Sequence, residues 1–193
     1  MLRLRTSALA VLAAFTLAAC GDDSTGPKNS TGTFSAKSTG GLTRSFSGDA
    51  IFGSDDTPEG EAFVVGLLGD AEFVIIGRKN LTRPATGTYS IVDISGETAP
   101  TADQFFSVAY FEVNGGASEQ AFVSTGGQLK VTTSSSTRFA GTFTMTGVCT
   151  ACGTGGADVT AEVSGSFNAI GAETPVARAT RFHVEQVRVS GQR

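Results

Sequence analysis

Between residues 157 and 167 the chain alternates strictly between small or apolar residues and polar ones. Ala157, Val159, Ala161, Val163, Gly165 and Phe167 form one set, and Asp158, Thr160, Glu162, Ser164 and Ser166 form the other. A period of two places the sets on opposite faces of a β-strand, so that one face packs on a core while the other meets water. Residues 138–148 repeat the device, with Phe139, Phe143 and Met145 opposed to Arg138, Thr142, Thr144 and Thr146. Helical spacing is hard to find after residue 32. The alternation therefore predicts an all-β fold built on an antiparallel sheet.

Further strands are predicted at 33–38, 42–53, 61–67, 71–78, 87–93, 104–113, 119–124, 128–133 and 181–189, eleven segments in all, some of them expected to merge or fray. Turn chemistry separates them. Ser54-Asp55-Asp56-Thr57-Pro58-Glu59-Gly60, Leu68-Gly69-Asp70, Asn114-Gly115-Gly116 and Thr125-Gly126-Gly127 are read as hairpin connections, because Asn-Gly and Gly-Gly supply positive φ. Many short strands joined this way predict an antiparallel immunoglobulin-like β-sandwich, with a β-barrel as the alternative. The whole chain has 14 Phe and 40% hydrophobic residues, and residues 32–193 are long enough to bury one Phe-rich core as a single all-β domain.

The amino terminus reads as an address. Arg3 and Arg5 precede a run from residue 8 to residue 19 that is almost wholly Ala, Val, Leu and Phe. That layout is a signal peptide over residues 1–19, and it is too short for a convincing permanent span, which needs about 20 apolar residues. Leu17-Ala18-Ala19-Cys20 resembles the lipobox of bacterial lipoproteins. The resemblance implies a diacylglyceryl group on the Cys20 sulfur, cleavage before Cys20, and membrane attachment through lipid. Gly21 in the second mature position favours the outer membrane if the cell is Gram-negative. Residues 20–31 then comprise the lipidated cysteine and a polar tether, spanning about 17–20 Å as a coil. Cleavage leaves 12 basic against 18 acidic side chains, 12 − 18 = −6. A body of that charge gains nothing from anionic headgroups or from nucleic acid, and no nucleic-acid partner is expected.

A short motif recurs as Gly32-Thr33-Phe34, Gly87-Thr88-Tyr89, Gly141-Thr142-Phe143 and Gly165-Ser166-Phe167, with unequal gaps that exclude a solenoid. Each copy is expected to set a bend or close contact beside an inward aromatic. With the lipobox and tether, these motifs resemble uncharacterised β-sandwich lipoprotein domains of several bacterial groups, over residues 32–170. That family implies no catalytic residues. Residues 171–193 lie beyond its usual end.

Sites of chemistry are sparse. The lone histidine, His183, stands in a strand-like run without a nucleophile elbow, and a structural role is expected for it. Asp55, Asp56, Glu59 and Glu61 make an acidic turn read as solvated rather than as a Ca²⁺ loop. Gly153-Thr154-Gly155-Gly156 lacks the Lys-Ser/Thr of a phosphate loop and is read as a turn. With Cys20 taken by lipid, Cys149 and Cys152 form an even pair in an exported chain, which favours a local disulfide stapling a hairpin. Redox use and zinc binding are the competing readings of the same thiols. No catalytic residue, cofactor or metal is expected. The function anticipated is that of a lipid-anchored, non-enzymatic envelope module that binds a protein, peptide or glycan. The alternatives are a carrier of small apolar ligands and a redox accessory protein.

Overall fold

Alternation decides the architecture, because most strands bury one of their two faces. The computed structural model describes residues 32–57, 60–96, 100–113 and 118–171. Nine strands follow one another: β1 (Gly32–Gly40), β2 (Arg44–Thr57), β3 (Gly60–Leu68), β4 (Glu72–Arg78), β5 (Gly87–Ile91), β6 (Phe105–Val113), β7 (Ser118–Ser134), β8 (Arg138–Cys149) and β9 (Val159–Gly171). The all-β expectation holds, and a 3-10 turn at Thr154–Gly156 is the one helical element among the described residues.

The sheet closes on itself in the order β1-β2-β3-β4-β6-β5-β7-β8-β9, with β9 returning to β1 through pairs from Thr33↔Asn168 to Gly40↔Ala161. This is a barrel, the alternative architecture, and not the immunoglobulin-like sandwich placed ahead of it. The reason is β1, which pairs with β2 on one side and β9 on the other and so joins what would be two sheet edges. The sheet is also mixed rather than purely antiparallel. Ile91 of β5 pairs in parallel with Phe105 of β6, and Ile51 and Phe52 of β2 pair in parallel with Ile170 and Gly171 of β9.

Ten of the eleven expected segments become these nine strands, since 119–124 and 128–133 merge into β7; the eleventh, 181–189, lies outside the described residues. Thr125-Gly126-Gly127 is thus not a hairpin turn. Its glycines sit where the register against β8 shifts between Ser124 and Gly126, a bulge that bends one long strand. Two partners account for the bend: Ser118–Val123 pairs with β6, whereas Gly127–Val131 pairs with β5.

Inward side chains fill the lumen, as expected for a barrel of about this strand number. Phe63, Phe105, Phe111, Phe122, Phe139 and Phe143 are all at most 2% exposed, and Leu67, Leu129 and Met145 complete the layers. The rings meet mostly edge to face, for example Phe63 with Phe139 at 5.1 Å and Phe46 with Phe111 at 5.5 Å. Phe139, Phe143, Met145, Ala161, Val163 and Phe167 lie inward, as their alternation requires.

The Gly-Thr-aromatic motifs find their reason in cross-strand register. Gly141 stands opposite Phe167, and Gly165 stands opposite Phe143. A methyl on Gly141 would lie 2.1 Å from the Lys130 carbonyl oxygen, so each ring covers a position where neighbouring backbones come too close for a side chain.

Candidate functional site

One end of the barrel is crossed by the β4–β5 connection, residues 79–86. The Ser54 hydroxyl of β2 donates to the Leu81 carbonyl at 2.6 Å. Across the opening, Arg83 Nε donates to Ser134 Oγ of β7 at 3.1 Å, and Ser134 Oγ donates to the Pro84 carbonyl at 2.6 Å. The segment is therefore fastened to opposite walls. Asn80 tightens its start by accepting the Thr82 N–H at 2.8 Å.

Beneath the crossing lies Arg78, the last residue of β4 and only 6% exposed. Period-two alternation turns it inward, where its guanidinium carbon stands 5.6 Å from the centroid of the Phe105 ring. One terminal nitrogen donates to the Thr82 carbonyl, while Nε is buried without a hydrogen-bond partner. An ion pair lies elsewhere, between Arg44 and Glu72 at 2.7 Å.

Between the crossing segment, the β7–β8 turn and the end of β9 opens a cleft of about 420 Å³. Phe52, Phe63, Leu81 and Ile170 give it apolar walls; Arg83, Ser136 and Thr137 give it polar ones. A half-open apolar recess with a guanidinium beside it suits a ligand having both an apolar part and an acceptor or anionic group. Gly32, where the described barrel begins, pairs with Ala50 and so belongs to the same end of the molecule.

The cysteine pair occupies the opposite end. Cys149 ends β8 and is 3% exposed, Cys152 lies in the following turn against the same core, and the two are joined as a disulfide with Cα atoms 5.6 Å apart. Ala151 between them adopts φ +58° and donates its N–H to Asp158 Oδ1 at 3.0 Å. The loop is thus a β8–β9 connection, with no helix start at the first cysteine to favour a thiolate. Gly153 to Gly156 forms the expected turn, Gly155 and Gly156 at φ +72° and +80°.

Of the other residues singled out in the sequence, Cys20 and His183 lie outside the described residues. Asp55 and Asp56 fall in β2, paired in register with Ala62 and Glu61. No group of three or more His, Cys, Asp or Glu side chains among the described residues is close enough to hold a metal ion. Arg78, Arg83 and the 79–86 crossing were not foreseen. Their only sequence signal is that Arg78 occupies the inward phase of an otherwise apolar strand.

Comparison with known proteins returns no matching family model, no matching curated protein and no matching solved structure.

Proposed function

We propose that the chain is a lipid-anchored, non-enzymatic module of the bacterial cell envelope, which uses the mouth cleft to engage an envelope protein, peptide or glycan. The observation that carries this reading is the succession of Leu17-Ala18-Ala19-Cys20, a polar stretch of eleven residues, and a barrel whose first strand starts at Gly32. Lipid on Cys20 would hold the molecule at a surface, since each buried methylene adds about 0.8 kcal/mol and two or three acyl chains suffice for firm attachment. Because Gly32 and the cleft share one end, the anchored orientation turns the cleft towards the tether.

On β8 and β9 the barrel has the wrong polarity for a span. Its lumen is lined by phenylalanine, while Thr142, Thr144 and Thr146 of β8 and Thr160, Glu162 and Ser166 of β9 face outwards and are exposed. Membrane barrels present the opposite arrangement, an apolar band towards lipid. The apolar walls of the cleft favour a second reading, carriage of a small apolar ligand. Because side chains fill the lumen, such a ligand would sit at the mouth rather than inside.

Mass analysis of the amino-terminal peptide from native material tests the anchor. The expected result is a chain starting at Cys20 with a thioether diacylglyceryl group, and Cys20→Ala is expected to leave the protein in the soluble fraction. An intact leader or an unmodified Cys20 overturns the proposal. Fractionation that finds the protein only at the inner membrane counts against outer-membrane placement.

A further inference from the structure

The outside of the barrel is not uniform. On β8, β9 and β1 the outward positions are mainly Thr, Ser, Glu and Lys, but on β3, β4 and β6 they are mainly apolar, and Ile51 of β2 borders them. Val64 and Ile75 belong to a cluster separate from the lumen, with Ile51, Ala62 and Phe73 packed against them. They are only 6% and 7% exposed although they point away from the core. The cluster continues in register: Ile75 pairs with Val108, and Val108 pairs with Val123. Phe73 and Tyr110 stack at 4.6 Å beside it, and both carry further interactions. The half-buried neighbours Ile51, Phe73 and Val108 still offer apolar area, and such area gains about 25 cal/mol per Å² when it is covered.

The last described pairs show where the chain leaves the barrel. Ile170 and Gly171 lie beside Ile51 and Phe52, so the chain leaves the barrel at the β2 border of this face. It cannot continue the sheet next to β9, because β8 holds one side of that strand and β1 and β2 hold the other. Twenty-two residues follow, from Ala172 to Arg193, and among them Phe182, Val184, Val187 and Val189 supply apolar side chains. Ten extended residues reach about 33 Å at roughly 3.3 Å each, whereas β2 to β6 is three strand spacings, about 14 Å. Residues 182–189 therefore reach the middle of the face with slack.

Charge agrees with reach. Residues 32–171 carry 7 basic against 14 acidic side chains, 7 − 14 = −7, while residues 172–193 carry Arg178, Arg181, Arg188 and Arg193 against Glu173 and Glu185, 4 − 2 = +2. A basic segment tethered to an acidic body is held near it at high effective concentration.

We infer that residues 172–193 fold back over the β3-β4-β6 exterior of their own barrel, entering it past Ile51 of β2, with Phe182 and Val184 covering the Ile75–Val108 region. The inference stands independently of the lipid anchor and of the mouth cleft.

Thiol pairing in the full-length chain tests it. Val108→Cys combined with Val184→Cys is expected to give an intramolecular disulfide on mild oxidation, identified as a linked peptide by mass spectrometry. Thr144→Cys on the polar side, combined with the same Val184→Cys, is expected to link at least ten-fold less. Adding Phe182→Asp to the first pair is expected to lower its linking at least five-fold. Ile51→Cys with Val184→Cys serves as the second pair if the Val108 variant does not fold. Equal linking on both sides, links between two chains, or no link from either apolar position overturns the inference; links between chains would assign the face to a second copy instead.

Discussion

At Gly141 the space for a side chain is already occupied by the Lys130 carbonyl oxygen, and that contact is backbone, which cannot swing aside. Gly141→Ala is expected to destabilise the barrel by about 1–3 kcal/mol or more, as overpacking does. Gly126→Ala, where nothing lies within 4 Å of the added methyl, is expected to change little. Paired chemical-denaturation curves check both. Tyr110 offers a second residue-scale prediction. Burial raises its phenol pKa first, and the hydrogen bond and charge of Glu119 and the charge of Glu112 raise it further. A raised folded-state value means that the neutral phenol stabilises the fold. That contribution is whole below the ordinary tyrosine value, about 10, and is lost as pH rises above it. Tyr110→Phe is therefore expected to flatten the alkaline decline in stability, read by circular dichroism across pH-dependent denaturation. At this scale the sequence was generous: Phe139, Phe143, Met145 and Phe167 are inward as their period demands. What it hid was the partner, since Gly141 explains itself only when Phe167 and Lys130 are seen across the strands.

Elements were legible wherever alternation ran unbroken, and β1, β4, β6, β8 and β9 match their expected spans closely at one or both ends. β7 was misread because glycines that punctuate a sequence also bend a strand, and only its change of partner from β6 to β5 separates the cases. Two buried serines finish that junction. Ser124 Oγ accepts the Ser107 N–H at 3.2 Å and donates to the Val92 carbonyl at 2.7 Å, while Ser107 Oγ donates to the Ile75 carbonyl at 2.9 Å. Both side chains sit where β6 and β7 part to admit β5. Ser124→Ala strands the Ser107 N–H and the Val92 carbonyl, and it is expected to cost about 1–3 kcal/mol. Hydrogen exchange is expected to accelerate first at Val92 and Ile94, which bond to Phe105 and Ser124. Protection unchanged at those amides would show that the serines do not hold β5 in place.

Across the whole molecule, the choice between sandwich and barrel was not legible, because both bury one face of each strand and differ only in whether the first and last edges meet. The mouth site was equally hidden: Ser54, Arg83 and Ser134 converge from three distant stretches of chain, and nothing in their local sequence announces it. The cysteine staple, in contrast, was readable from spacing and from the even number of cysteines left once Cys20 is assigned to lipid. Four residues in the closed loop limit its contribution to about 2 kcal/mol in the chain-entropy model. Cys152→Ala is expected to lower stability by no more than that while leaving the far-ultraviolet spectrum of the sheet unchanged. Loss of the sheet would mean that the bond organises the fold rather than trims it.

The seam between β1 and β9 has a temporal consequence. β1 meets its first neighbour within about twenty residues, but its second is made more than a hundred residues later, so a growing or emerging chain holds one flank of that strand unsatisfied until nearly everything else has appeared. Long-range closure of this kind is slow. On the proposed export route, where a polypeptide crosses a pore in extended form, a structure that cannot shut until β9 arrives serves it well.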